Sequence, residues 1–151
     1  MPLAIFLQIK GIPGNSKDSK HPSWIELTSF DFSVSNSEDT LKEKDEESEG
    51  TNLNSITISK KVDKSSVPLA NHACERKNLP SFEVHICRPH EDKQFTFLEY
   101  ILEGAKIEEY SISASESYPT ENLTIKYTNI KWTYGPETAT GEYSIEEGDS
   151  K

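Results

Sequence analysis

Two of the four histidines stand two residues before the two cysteines, as His72-x-Cys74 and His85-x-Cys87. Nitrogen and sulfur donors in that number suit tetrahedral zinc, and the two thiols could instead form a disulfide. Spacing argues against the metal. Residues two apart on a strand point the same way, so His85 and Cys87 could act together. On a helix they diverge by about 200°, which separates His72 from Cys74. Ordinary packing of two free thiols is the plainer reading, and no metal ligand or cofactor-binding residue is assigned. Other reactive arrangements are missing. There is no Gly-x-Ser-x-Gly elbow for a serine nucleophile. Gly11-x-x-Gly14 is not followed by the Lys-Ser/Thr of a phosphate loop. The neighbours Glu108 and Glu109 alternate faces on a strand and so do not make a two-carboxylate site. Asn122-Leu-Thr124 has the form of a glycosylation sequon but reads as a strand start. No catalytic residue is expected, and the chain is not expected to be an enzyme.

The chain has 151 residues, 16 basic and 26 acidic, for a net charge of −10. That length suits one core. Acidity is concentrated: residues 38–49 carry a net −5 and residues 137–151 a net −4, leaving the remainder at −1. A nearly neutral domain with two acidic appendages is expected, the domain spanning 1–136 with an acidic extended loop at 36–52, and a tail at 137–151. Each appendage reads most simply as a solvated segment, and otherwise as a charged surface controlling docking. No nucleic acid is expected as a partner, because phosphate contacts need clustered Lys and Arg. The longest apolar run, Leu3 to Leu7, is too short to span a membrane and lacks the flanks of a cleavable signal peptide.

Period-two alternation dominates the chain and must position whatever the side chains do. Leu3, Ile5, Leu7 and Ile9 share one face of a first strand, broken at Gly11-Ile-Pro-Gly14 by a polar loop that runs to His21-Pro22. Ile25 and Leu27 are in one phase, and Phe30, Phe32 and Val34 in the other. That switch predicts a bulge or bend near Thr28-Ser29. Ile56, Ile58 and Val62 mark the next strand. A single helix is expected over Asp63–Lys77, with Ser65 or Ser66 as cap and Pro68 in the first turn. Its paired positions are Leu69 with Ala73 and Ala70 with Cys74, and its stop is at Pro80. Four strands follow. Phe82, Val84 and Ile86 alternate in the first. In the second, Phe95, Phe97 and Ile101 fall on one face and Leu98, Tyr100 and Leu102 on the other. A strand apolar on both faces is buried on both, or is covered on one by another subunit. Ile107–Ala114 comes next, then Leu123–Tyr134, which changes phase midway, as a strand crossing between packed sheets or wrapping a barrel does.

Three blocks resemble one family. Ile9-Lys10-Gly11-Ile-x-Gly14-x-Ser16-Lys17-Asp18-x-x-His21 with Trp24-Ile25-Glu26-Leu27 is similar to the N-terminal signature of the haemolysin-coregulated protein (Hcp) family, the tube protein of bacterial type VI secretion. Ile58-Ser59-Lys60-Lys61-Val62-Asp63-Lys64-Ser65-Ser66, with Pro68-Leu69 and Ala73-Cys74, resembles its strand leading into the single helix. Glu121-Asn122-Leu123-Thr124 through Ile130-Lys131-Trp132-Thr133-Tyr134 resembles its closing strand. The blocks fall in the family's order. This sequence departs from the family in the acidity of 36–52 and in a short acidic tail without the Trp-bearing ending of many members.

The resemblance implies a mainly β fold, a β-barrel of two antiparallel sheets flanked by one α-helix. It implies a homohexameric ring, stacked rings, and partners in the spike, sheath and effector proteins of the secretion system. It places the chain in the bacterial cytoplasm and then outside the cell, secreted without a cleavable signal and without membrane insertion. Subunit or ring contacts are assigned to Gly14, Ser16, Lys17, Asp18 and His21 in the signature loop, and to Phe95, Phe97, Leu98, Tyr100 and Leu102. An equally open reading gives Gly14 a positive-φ turn, with Asp18 and His21 bonding their own backbone. The alternative function is a soluble β-sandwich that binds carbohydrate or another ligand on an exposed aromatic platform of Trp24 and Trp132.

Overall fold

In β1 (Ala4–Gln8) the alternation sends Leu7 into the interior and Phe6 to the opposite face, and both are buried. What covers each face is set by two antiparallel sheets and one loop. The computed structural model describes residues 3–36, 51–53, 55–90, 93–135 and 139–144. Its larger sheet has six strands in the order β12-β11-β8-β7-β1-β2, and the smaller has four, β3-β6-β10-β9. The strands are β2 (Ile25–Leu27), β3 (Ser29–Asp31), β6 (Ile56–Lys61), β7 (Phe82–His90), β8 (Lys93–Glu103), β9 (Lys106–Ser113), β10 (Thr120–Lys126), β11 (Asn129–Tyr134) and β12 (Ala139–Ser144). The inner faces meet in one core that includes Leu7, Ile25, Ile58, Val84, Leu123 and Ile130. Across it Phe30 of β3 packs on Tyr100 of β8, ring centroids 4.9 Å apart.

The phase switches are the points where the chain passes from one sheet to the other. Leu27 belongs to the six-stranded sheet and Ser29 to the four-stranded one. Thr28 between them donates its N–H to the Ser59 carbonyl at 2.7 Å. Tyr127 and Thr128 make the second crossing, from β10 to β11, and the Thr128 N–H bonds to the Glu103 carbonyl at 3.0 Å. The expected mainly β class, two antiparallel sheets flanked by one helix, is what the chain adopts; among the described residues the two ladders stay separate, each with two edge strands, and do not close into a barrel. Crossing strands hold the sheets face to face without a continuous ladder around them, which is a sandwich-like packing.

The acidic stretch expected at 36–52 lies mostly outside the described residues, as does most of the tail expected at 137–151. The flanks of the stretch form a two-stranded ladder of β4 (Val34–Asn36) with β5 (Thr51–Leu53).

Helix α1 (Ser66–Glu75) is shorter than the expected 63–77 at both ends. Ser65 is the N-cap residue, as one of the two expected, but its side chain bonds no helix amide; the turn before the helix is held by Asp63 instead. The Asp63 carboxylate accepts from the Ser65 N–H at 2.9 Å and from the Ser65 hydroxyl. The Ser66 hydroxyl accepts from the Asp63 N–H at 3.0 Å. Its end comes before Pro80, because Arg76 turns left-handed (φ 59°) and the Arg76 and Lys77 amides bond back to Ala73 and His72. Leu69 is buried and Ala73 packs on the core. The second expected pair does not: Ala70 is half-buried and Cys74 is exposed.

Candidate functional site

The polar segment after β1 folds back over the outer face of the six-stranded sheet. It is closed by its own backbone: Gly14 N–H to the Ser23 carbonyl at 2.7 Å, Ser23 N–H to Ser16 at 2.9 Å and Ser16 N–H to Trp24 at 3.0 Å. Gly14 is not in the positive-φ region, where Gly11 (81°) and Ser23 (64°) are. It is there for close approach, since a Cβ at Gly14 would lie 2.5 Å from the Ile25 Cα. Asp18 does hold its own backbone, accepting from the Lys20 N–H at 3.2 Å. The His21 ring instead reaches across to the sheet.

That ring is 2 % exposed. It stacks on Phe6 at 4.3 Å and 5°, and meets Trp24 edge-on at 4.6 Å. Its two nitrogens continue a line of polar contacts. His21 Nδ1 lies 2.7 Å from Asp18 Oδ2. His21 Nε2 lies 3.0 Å from His85 Nδ1. His85 Nε2 lies 2.8 Å from Glu83 Oε2 and 3.8 Å from Glu99 Oε2. The hydrogen bond from His85 holds the Glu83 carboxyl below its ordinary value, against the opposing pull of burial. Both nitrogens of each ring are thus engaged by a carboxylate or by the other ring, and neither is turned to a hydroxyl or thiol. Cys87 belongs to the same small cluster as Phe6 and Trp24. It is fully buried, its sulfur 3.1 Å from the Thr96 hydroxyl, and burial raises its pKa. Cys74 is exposed on α1 and both thiols are free. The side chain that works with His85 is therefore Glu83, also two residues away, rather than Cys87.

Of the expected contact residues, Gly14, Ser16, Asp18 and His21 come together in this folded loop, where Ser16 is buried. Lys17 is exposed and borders a shallow groove with Asn15, Ser23 and Lys64. The second group divides. β8 carries a bulge: Leu98 faces Ile86 but Thr96 faces Cys87, so Phe97 has no cross-strand partner on β7. Tyr100 and Leu102 lie on the core side, Leu102 only 2 % exposed and Tyr100 packed against the core, while Leu98 is half-buried. The expectation that one core could not use this strand is corrected there, because the facing sheet supplies Phe30 and Phe32 as partners for Tyr100. Phe95 and Phe97 lie beyond that contact and both flank the Arg88 guanidinium, at 5.5 and 5.3 Å.

A second polar assembly was not anticipated. Lys60 and Glu121 point into the core side of the smaller sheet and are fully buried as an ion pair. Lys60 Nζ also contacts Asp63 at 3.0 Å and donates to the Lys61 carbonyl at 3.1 Å and to Ser66 Oγ at 3.3 Å. The Tyr110 hydroxyl donates to the other Glu121 oxygen, and burial together with that bond raises the Tyr110 pKa. The network ties the start of α1 to β6, β9 and β10. A core-phase lysine after Ile56 and Ile58, and a core-phase glutamate before Leu123 and Ile125, were the available signal.

The family model described as type VI secretion system effector, Hcp, matches residues 6–134. The chain belongs to the Hcp family. Protein hcp1 of Pseudomonas aeruginosa is 24 % identical over 143 residues, covering 93 % of this chain and 88 % of that protein. Hcp1 from Salmonella typhimurium has the same fold, with a TM-score of 0.81 at 21 % identity over 97 % of each chain. The secreted protein Hcp3 from Pseudomonas aeruginosa superimposes with a TM-score of 0.72 at 16 % identity, over 95 % of this chain and 97 % of that one. Hcp membership makes this a structural protein of type VI secretion, a secreted class. All three signature blocks, from Ile9 to Tyr134, fall within the matched span. Among the described residues no helix is long and apolar enough to cross a membrane. Neither tryptophan forms the exposed platform a sugar-binding sandwich would use: Trp24 is buried, and Trp132 is half-buried against Phe32.

Proposed function

We propose that this Hcp chain is a subunit of the type VI secretion tube: six copies close into a ring, rings stack, and effectors travel in the lumen. Spike, sheath and effector proteins are its partners, and it carries no reaction of its own. The observation that carries this reading is the match to the Hcp family over residues 6–134. Repeated head-to-tail contact between two unlike patches closes a ring whenever the rotation per subunit divides a full turn. Unlike patches are available. The folded loop from Gly14 to His21 offers a polar surface with Lys17 outward. Phe95 (37 % exposed), Ile112 and Tyr118 present apolar surface elsewhere. Phe95, Phe97 and Leu98 remain assigned to subunit contact, whereas Tyr100 and Leu102 serve the chain's own core.

Light scattering on the purified protein, followed by negative-stain imaging, tests this. A mass near six times the 17.0 kDa chain and annular particles are expected. A single-chain mass with no annuli at any concentration overturns it.

A further inference from the structure

We propose that Glu83, His85 and Glu99 form a binding site for a divalent cation of the zinc type on the outer face of the six-stranded sheet. Glu83 and His85 are two apart on β7 and so share a face. Glu99 stands directly opposite His85 on β8. One donor atom from each of the three lies within 4.8 Å of the others.

The ring nitrogens set the direction of the site. His21 Nδ1 faces Asp18 at 2.7 Å and His21 Nε2 faces His85 Nδ1 at 3.0 Å, so His85 turns its Nε2 to two carboxylates, 2.8 Å from Glu83 and 3.8 Å from Glu99. The hydrogen bond with Glu83 leaves Glu99 beyond hydrogen-bond reach of the same nitrogen. A cation placed between the three would contact all of them.

The geometry suits such an ion. Two ligands of a tetrahedral zinc at about 2.0 Å stand about 3.3 Å apart, and the His85 distances to the two glutamates bracket that value. One imidazole with two carboxylates is a borderline-hard set, matched to zinc and its first-row neighbours. Glu83 and Glu99 are about one-third exposed, which leaves a path for entry and a position for water. The support behind the ligand is built in the usual way for metal-bound histidine, the far nitrogen oriented by a hydrogen-bonded partner that ends on a carboxylate. Here that partner is buried His21, clamped between Phe6 and Trp24 and backed by Asp18.

The test uses the full-length chain carrying Cys74→Ser, so that the exposed thiol does not take up metal. Zinc is titrated in competition with a chromophoric chelator. One ion per chain is expected. Glu99→Gln and Glu83→Gln should each weaken uptake at least about tenfold. Asp18→Asn, which touches no ligand, should weaken it by about tenfold through His21. Glu99 lies on the surface, so its substitution should leave the melting temperature in the absence of metal unchanged. No saturable uptake at one per chain overturns the proposal, as does uptake that is the same in Glu99→Gln. Ring mass measured on the same samples reads assembly separately from metal.

Discussion

Lys60 and Glu121 are paired side chain to side chain with neither exposed to solvent. Burying two charges costs several kcal/mol each, and the pair is tolerable only because Asp63, Ser66, the Lys61 carbonyl and Tyr110 satisfy the remaining positions. Removing one member is therefore worse than removing both. Glu121→Gln or Lys60→Met should each destabilise the fold by about 3–5 kcal/mol. The double variant should lose much less than the sum. Urea denaturation of the three variants gives the coupling. Losses that simply add would show that the two groups do not depend on each other.

Gly14 is held against the backbone of Ile25, and a Cβ there would meet the Ile25 Cα and the Trp24 carbonyl oxygen at 2.5 and 2.6 Å. Backbone cannot step aside as a flexible side chain does. Gly14→Ala should cost about 1–3 kcal/mol, the range for overpacking a fixed site, and should loosen the loop that presses Trp24 onto the sheet. Gly11→Ala, with open space around it, should cost only the price of its positive φ, about 1 kcal/mol. Thermal melts followed by tryptophan fluorescence distinguish the two. Equal losses would place the constraint in backbone angle rather than in contact.

Much of this architecture is legible in the residues, and the misses have physical causes. Alternation locates the strands because each has one face in the core. The phase changes at Thr28 and Tyr127 locate the crossings, because passing to the facing sheet reverses which side is interior. Alternation failed at Phe97, where a bulge puts one extra, unpaired residue into β8. It also failed to reveal Lys60 and Glu121, because a charged residue in core phase reads as an interruption until its partner, 61 positions away, is brought beside it. The contact line from Asp18 to Glu83 was invisible for the same reason. Its two histidines are 64 residues apart, and only the pairing of β1 with β7 and the folding of the loop bring them together.

Tyr127 is 6 % exposed, and burial pushes its phenol from an ordinary 10.0 up to about 12. The neutral form is the one the fold prefers. Below pH 10 both folded and unfolded chains keep the proton, and stability is unaffected. Between 10 and 12 the unfolded chain loses the proton first, so stability falls as pH rises through that window, by no more than about 3 kcal/mol. Tyr110, raised for the added reason of its bond to Glu121, steepens the same loss. Tyr127→Phe should flatten the decline without abolishing it. Urea midpoints at pH 9, 10 and 11 measure this, and an unchanged slope in the variant would exclude Tyr127 as a contributor.

In the proposed tube, the net −5 over residues 38–49 would bear on how rings meet. β4 and β5 pair the two flanks of the stretch, and the proposed ring of six would repeat its charge once per subunit. Like charges at that density repel over about a Debye length, roughly 8 Å at physiological salt and 3 Å at 1 M. Unless lysines of the next ring face them, rings should stay separate in dilute buffer and stack as salt rises. Sedimentation across salt concentrations reads this directly. The double substitution Glu46→Lys with Glu47→Lys changes the local charge by four and should promote stacking at low salt, where repulsion is least screened. Tubes that shorten as salt rises would mean that attraction between opposite charges, not repulsion between like ones, governs the contact.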